Sequence, residues 1–470
     1  MDIISIQKFS EFIIKALPKV SQPNTIASFA FSPENSLPVK ELNFLTNEFE
    51  KSFYWEKPSE RFFIAALGDL LSITEPGIGR FALIEKKIRQ LKANFINNWN
   101  DFGQVSFPLF VGAMKFSSEG EKGLWENYYD SNWFIPHILI TGKDLEIKII
   151  YNFLISPKAS QEKLISDFNY RISQLSKMAK KTSEQTNTLP PVSSISGNSQ
   201  KDKKKWMEAV KKAINEIEFD KVKKVVLSRK VEIELKWEPD ISHIIEHLHQ
   251  KYPECYLFLF HSGKSSFFGA SPEKLIKLSS GWIEADALAG SAPRGNDETE
   301  DLKYAKDLQN SIKDLIEHAA VKDYIIKQFS SLADEVYYEE SPKIKKLNNI
   351  QHLWTPVKAK LKSVQKMFPI LENLHPTPAV CGIPKTEALD TIKKLEDYPR
   401  GLYSGIIGWF NFDAEAEFSV AIRSALLKGK KLFIFAGGGI VDGSNPAIEF
   451  QETELKLKPI FSLFENANKK

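Results

Sequence analysis

Apolar positions along this chain fall into two regimes. Short β-branched and aromatic runs bounded by turn residues predict strands, and longer stretches with apolar residues three to four apart predict helices. In the first half the strand runs are 61–73 around Gly68, 107–116, and 133–155 with Gly142-Lys143-Asp144 as an internal turn. Helical spacing covers 1–20, 80–99 and 161–180. In the second half Trp206, Val210, Ala213, Ile214 and Ile217 mark an amphipathic helix, followed by strand runs at 224–229, 255–260, 267–273 and 282–288. A long helix is predicted over 300–332, with Ile312, Leu315, Ile316 and Ala319 as its core stripe. From 406 onward the chain reads as strands at 406–410 and 418–427, separated by a turn at 411–417, then a strand at 431–436. A glycine-rich turn and a helix opened by Asn445-Pro446 complete the chain. No repeat of fixed period is present.

Between 181 and 204 the pattern lapses into Ser, Thr, Asn, Gln, Gly and a Pro190-Pro191 pair, which predicts a linker or excursion loop. The division is therefore 1–180, 181–204 and 205–465. The lysines at 201, 203, 204 and 205 close the linker, and a solvated edge explains them better than a nucleic-acid patch.

Composition narrows the class. The 470 residues are 42% hydrophobic and 26% charged with a net charge of +3, an ordinary globular balance that gives no electrostatic case for nucleic acid or an anionic membrane. The two cysteines, Cys255 and Cys381, argue against a disulfide framework or zinc ribbon and fit a reducing compartment. Residues 1–20 are broken by Asp2, Lys8, Glu11 and Lys15, which fits an amphipathic helix better than a signal peptide, and no apolar run is long enough for a bilayer. A cytoplasmic soluble protein is the expectation.

Candidate chemistry gathers near the end of the chain. Glu449, Glu452 and Lys456 share one helix face by their spacing. Alone they could be a solvated Glu–Lys face. Beside Arg423 and the Gly437-Gly438-Gly439 run they fit a carboxylate for a divalent metal next to cations that grip an anion.

Eight short motifs then occur in a recognisable order. They are Lys224-Val-Val-Leu-Ser-Arg229, Gly269-Ala-Ser-Pro-Glu273, Ala289-Gly-Ser-x-Pro-Arg-Gly295 and Lys313-Asp-x-x-Glu-His318. His375-Pro-Thr-Pro-Ala-Val380, Tyr403-Ser-Gly-x-x-Gly408, Ala421-Ile-Arg423 and Gly437-x-Gly-Ile-Val441 with its Glu449-x-x-Glu452-x-x-x-Lys456 tail follow. From about Lys204 to Phe464 the chain resembles the chorismate-binding enzymes, which include isochorismate, salicylate, anthranilate and aminodeoxychorismate synthases. The resemblance implies an α/β fold of the α+β type, with two large, mostly antiparallel β-sheets packed together and helices outside. Residues 1–180 are then a variable amino-terminal part sharing the core sheets. It also implies magnesium-dependent chemistry on chorismate, a ring dicarboxylate.

Carried over residue by residue, the resemblance makes Lys224 the base that activates water at C2, where ammonia-using relatives carry glutamine. That role needs a populated neutral amine. Glu273 matches the general acid for the C4 hydroxyl, kept protonated by burial. Glu317 and Glu452 match the magnesium ligands, with Asp314 and Glu449 holding bound waters behind them. Arg423 and Lys456 match the cations on the enolpyruvyl carboxylate, aided by backbone N–H groups of Gly437 to Gly439. Tyr403 would offer a hydroxyl near that group, His352 would lie beside the departing hydroxyl, and Gly290 and Ser291 match a Gly-Thr pair contacting the ring and its carboxylate. Ala379 falls in a proline-set turn that resembles isochorismate synthases. The expected activity is isochorismate synthase, an isomerase that feeds menaquinone or siderophore biosynthesis. It is expected to act as a monomer, and no fused or partner amidotransferase is evident. A salicylate synthase and a silent ligand-binding relative are the alternatives.

Overall fold

The computed structural model describes residues 3–33, 49–103, 106–118, 123–144, 146–181, 189–363, 367–465. Alternating and continuous apolar runs become two large sheets, one of thirteen strands and one of ten, packed face to face. The fold expected from the resemblance is the fold present. Pairing is antiparallel throughout, except where Thr25–Phe31 meets Phe95–Asn97 in parallel. The strand Lys51–Lys57 shows why so many runs are apolar on every residue. Phe53 and Trp55 enter the core that also holds the second sheet, and Tyr54 enters a second core beneath the helices. A strand buried on both faces has no polar side to show. Across the inter-sheet layer Phe134 stacks on Phe260, with ring centroids 6.0 Å apart.

The two halves of the sequence are interleaved. Tyr256–Ser262 pairs with Lys51–Lys57 in the larger sheet, and Ile406–Phe410 pairs with Phe110–Met114 in the smaller. Within the predicted linker, 182–188 lie outside the described residues. Val192–Ser196 is a strand on the edge of Lys224–Leu235, and the following helix begins at Gln200, capped by Ser199 with Asp202 closing a capping box. The polar composition that predicted a loop is that of an exposed edge strand plus a cap.

Four other expectations need correction. The helix predicted over 300–332 is two helices, Glu298–Asn310 and Ile312–Ser330, separated by Ser311, whose extended backbone and side-chain acceptor cap the second. Its stripe is His318, Val321, Ile325 and Phe329, whereas Ile312 and Ile316 are exposed. The first turn presents Asp314 and Glu317 inward, which turns those isoleucines out. The predicted strand 418–427 is also two strands in different sheets, Ala416–Val420 in the smaller and Ser424–Lys428 in the larger. The chain changes sheet at Ala421-Ile422-Arg423, where Arg423 has φ 52°. The glycine run is no turn: Gly437–Gly439 continue the strand Lys431–Ile440, paired with Ser228, Leu227 and Val226. The segment 80–99 is helical only over Arg80–Lys92, then turns into the strand Phe95–Asn97.

Among the described residues no helix is long and apolar enough to cross a membrane.

Candidate active site

The site lies where both sheets and two helix starts converge. A cleft of about 60 Å³ is lined by Glu273, Gly290, Ser291, Glu317, His352, Ala379, Tyr403, Arg423, Gly437 and Lys456, so most of the candidates meet in one place. Lys224 reaches the same place through Glu317, its Nζ 2.9 Å from Glu317 Oε1.

Lys224 opens the strand Lys224–Leu235 and is 1% exposed. Its partner is a carboxylate. Facing it, Gly439 has no side chain, and a Cβ there would sit 2.5 Å from Glu317 Oε1 and 3.1 Å from Lys224 Cε. The glycine run is thus the floor under this pair, a close-approach role that only a missing Cβ allows.

Glu273 stands between Ser265–Ser271 in the larger sheet and Lys274–Ser279 in the smaller. Its backbone carbonyl accepts from Ser419 Oγ at 2.8 Å and from Val420 N–H at 3.3 Å. The side chain is 3% exposed, and burial first, then the nearby Asp286 carboxylate, pushes its pKa up to about 8. The cations facing it, Lys224, Lys345 and Arg423, pull the other way without undoing the shift. A carboxyl in that range holds its proton at neutral pH.

Four carboxylates face one another from two helices. Asp314 and Glu317 come from Ile312–Ser330, and Glu449 and Glu452 from Pro446–Glu465. Glu452 pairs with Lys456, and Glu449, fully buried, lies 2.6 Å from Lys313 Nζ. Burial, then the Glu317 charge, raises Asp314. Burial, then the Glu452 charge, raises Glu449. Burial would raise Glu317 as well, but the Lys224 ammonium holds it below its ordinary value. Among the described residues no three His, Cys, Asp or Glu side chains already form a closed metal shell. The chemistry still fits magnesium, which takes hard oxygen ligands and keeps much of its shell for water and substrate. Crowded carboxylates beside lysines, with glycines instead of side chains along their wall, are of the kind such an ion uses.

The anion end is built around Arg423. It is 5% exposed, its NH2 donates to His352 Nε2 at 3.2 Å, and its buried NH1 has no protein acceptor. His352 Nδ1 is 3.2 Å from the Gly290 carbonyl, which can only accept, so the proton is on Nδ1 and Nε2 accepts from Arg423. Burial, then the Arg423 charge, holds His352 well below its ordinary range, so it is neutral. His352 therefore orients the guanidinium, and Ser291 Oγ lies 3.0 Å from His352 Nδ1. Gly290, at φ 76°, takes the bulge in Trp282–Pro293 that brings this carbonyl round. Lys456 Nζ donates to the Gly437 carbonyl at 3.1 Å, and Tyr403 stacks on Phe435 with centroids 5.2 Å apart. Gly438 does not line the cleft. Strand alternation turns it to the helix, where a Cβ would lie 3.5 Å from Glu449 Oε2.

Sequence reasoning missed Asp286, whose charge raises Glu273, and Lys313, which pairs with Glu449.

A sequence model described as chorismate binding enzyme matches residues 11–465. The chain is 28% identical over 474 residues to "Isochorismate synthase MenF" of Bacillus subtilis (strain 168), covering 97% of each chain. It is 31% identical over 407 residues to the "Salicylate biosynthesis isochorismate synthase" of Pseudomonas aeruginosa, covering 86% of this chain and 83% of that one. Among solved structures, the menaquinone-specific isochorismate synthase MenF from Escherichia coli aligns with a TM-score of 0.76 at 20% identity, over 98% of this chain and 100% of that chain. Anthranilate synthase component I from Streptococcus pneumoniae TIGR4 aligns with 0.68 at 21%, over 85% and 92%. Agreement of sequence over nearly the whole length with agreement of fold places the chain in the chorismate-binding enzyme family.

Proposed function

We propose that the protein is an isochorismate synthase, an isomerase that moves the hydroxyl of chorismate from C4 to C2. The observation that carries this reading is one cleft lined by a proton-holding carboxyl, Glu273, and by Arg423 with its unpaired NH1, with the buried Lys224 bonded to its Glu317 wall. The two long relatives carrying isochorismate synthase names support the choice.

Arg423 and Lys456 fix the enolpyruvyl carboxylate, and neutral His352 keeps the guanidinium in plane. Once the ammonium paired with Glu317 has given up its proton, the Lys224 amine takes a proton from water as the water oxygen bonds to C2. The ring double bond shifts, the C4–O bond breaks, and Glu273 gives its proton to the departing oxygen, so one water is consumed and one released. Glu317 and Glu452 would hold magnesium, which when bound would supply Lewis-acid stabilisation of negative charge on the substrate. Because the nucleophile is water, the enzyme works without an amidotransferase. We place it in the cytoplasm as a monomer, its product serving menaquinone or siderophore assembly.

The test is incubation with chorismate and magnesium, with chromatographic separation of products. Isochorismate alone supports the reading, salicylate with pyruvate reassigns it to a salicylate synthase, and no consumption of chorismate ends it.

A further inference from the structure

One edge of the strand Lys224–Leu235 is incompletely paired. Its other edge runs along Lys431–Ile440 over ten residues. On the open edge, Gly382–Ile383 pairs with Lys224 and Val225, the Cys381 carbonyl accepts from Val226 N–H at 2.7 Å, and Val192–Ser196 covers only residues 232 to 235, which leaves the Val226 carbonyl and Ser228 N–H without a strand partner. Between them a buried ion pair takes the place of a strand. Arg400 NH2 donates to the Val226 carbonyl at 2.7 Å, and Ser228 N–H donates to Glu396 Oε1 at 2.7 Å. Arg400 NH1 reaches across to the Val380 carbonyl at 2.8 Å, and Nε donates to Glu396 Oε2 at 2.9 Å. Both side chains are almost fully buried, at 2% and 4% exposure, and the guanidinium lies 4.4 Å over the Phe116 ring.

Val226, Val380 and Tyr403 all line the cleft. Val226 is two residues from Lys224, Val380 follows Ala379, and Tyr403 N–H is bonded to the Arg400 carbonyl. We propose that Glu396 and Arg400 are positioning residues for the reaction, a side-chain surrogate for the absent strand that sets Lys224 and the Ala379 and Tyr403 walls in mutual register. The inference rests on the isochorismate synthase reading for the identity of the reaction, and on hydrogen bonds alone for the positioning.

Charge is not what makes the pair valuable here. A buried ion pair contributes little net stability over a well-packed apolar replacement. An apolar replacement would, however, leave the Val226 and Val380 carbonyls and the Ser228 N–H without partners. Only a planar fork meets two carbonyls and both oxygens of a carboxylate at once. A lysine at 400 carries one point of donation and cannot hold all of them.

The test compares wild type with Arg400→Lys, following chorismate consumption whatever the product, together with melting temperature and hydrogen exchange of the 224–230 amides. We expect kcat to fall roughly 10- to 100-fold, the scale of an ångström-level misplacement of catalytic groups, with KM for chorismate within about threefold. Exchange at Ser228 should quicken in the folded variant. If Arg400→Lys does not fold, Glu396→Gln, which keeps the acceptor for Ser228 and weakens the grip on Arg400, is judged by the same kcat-to-KM split. A folded variant with a lowered melting temperature and unchanged kcat overturns the inference. Product identity in wild type tests the functional reading separately.

Discussion

Glu273 and Arg423 occupy two of the corners at which the chain passes from one sheet to the other. One corner carries the chain from the larger sheet to the smaller and the other brings it back. They are tied to each other through backbone: Val420 N–H donates to the Glu273 carbonyl, and Ala270 N–H to the Arg423 carbonyl at 3.1 Å. A proton-holding carboxyl and an anion-seeking guanidinium are thus set by the same fold feature. Neither depends on a mobile loop, which keeps the geometry tight.

Glu273→Gln should lower kcat by roughly 10²- to 10⁴-fold, the usual range for loss of a general acid, with chorismate affinity little changed. Calorimetric binding beside turnover checks this, and an unaffected kcat removes the acid from Glu273.

The pH dependence follows from the same group. With Glu273 titrating at about 8, its acid form and the activity it supports are lost as pH rises through that value. For stability, the native state keeps a proton that the unfolded chain releases near 4.5, so this contribution is full below 4.5 and lost as pH climbs to about 8. Asp286→Asn removes a charge that disfavours the carboxylate, so the descending limb of the pH–kcat profile should move to lower pH. A limb that stays put, or moves up, refutes the coupling.

Lys224→Gln should abolish water addition, again by roughly 10²-fold or more. It also frees Glu317 from its ammonium partner at 2.9 Å. Undiminished isochorismate output would count decisively against Lys224 as the base.

Magnesium should raise the melting temperature in a concentration-dependent way, the stabilisation reaching about 2.7 kcal/mol at a hundredfold excess over Kd, and chelation should stop turnover. Glu452→Gln should weaken that stabilisation. A melting temperature indifferent to magnesium in wild type would argue against a site between Glu317 and Glu452.

Gly439→Ala offers a finer probe. Its Cβ would press on Glu317 Oε1 and Lys224 Cε, which belong to flexible side chains, not backbone. The protein should fold with nearly unchanged melting temperature, yet lose at least about tenfold in kcat, as misplaced catalytic groups do. Full activity would show that the Lys224–Glu317 spacing is not critical.

Much was determined by sequence alone. Residue-type patterns one strand or one helix long identified most elements, and motif order identified the family and many of the residues that line the cleft. These are local properties, carried by side-chain period and by turn chemistry at particular positions such as Asn445-Pro446. Tertiary structure decided the rest. Residues 418–427 read as one strand because period-two alternation does not reveal which sheet a strand joins, and only the bend at Arg423 divides the run between two sheets. Ser311 looked like an interior helix residue until its backbone turned extended and it became a cap. The glycines at 437–439 read as a turn, but what they lack is room for a side chain, which only the approach of Glu317, Lys224 and Tyr403 makes visible. Likewise nothing in Glu396 or Arg400 says that they complete a strand edge. That is a relation among segments distant in sequence, and burial creates it by denying every backbone group on that edge the water it would otherwise use.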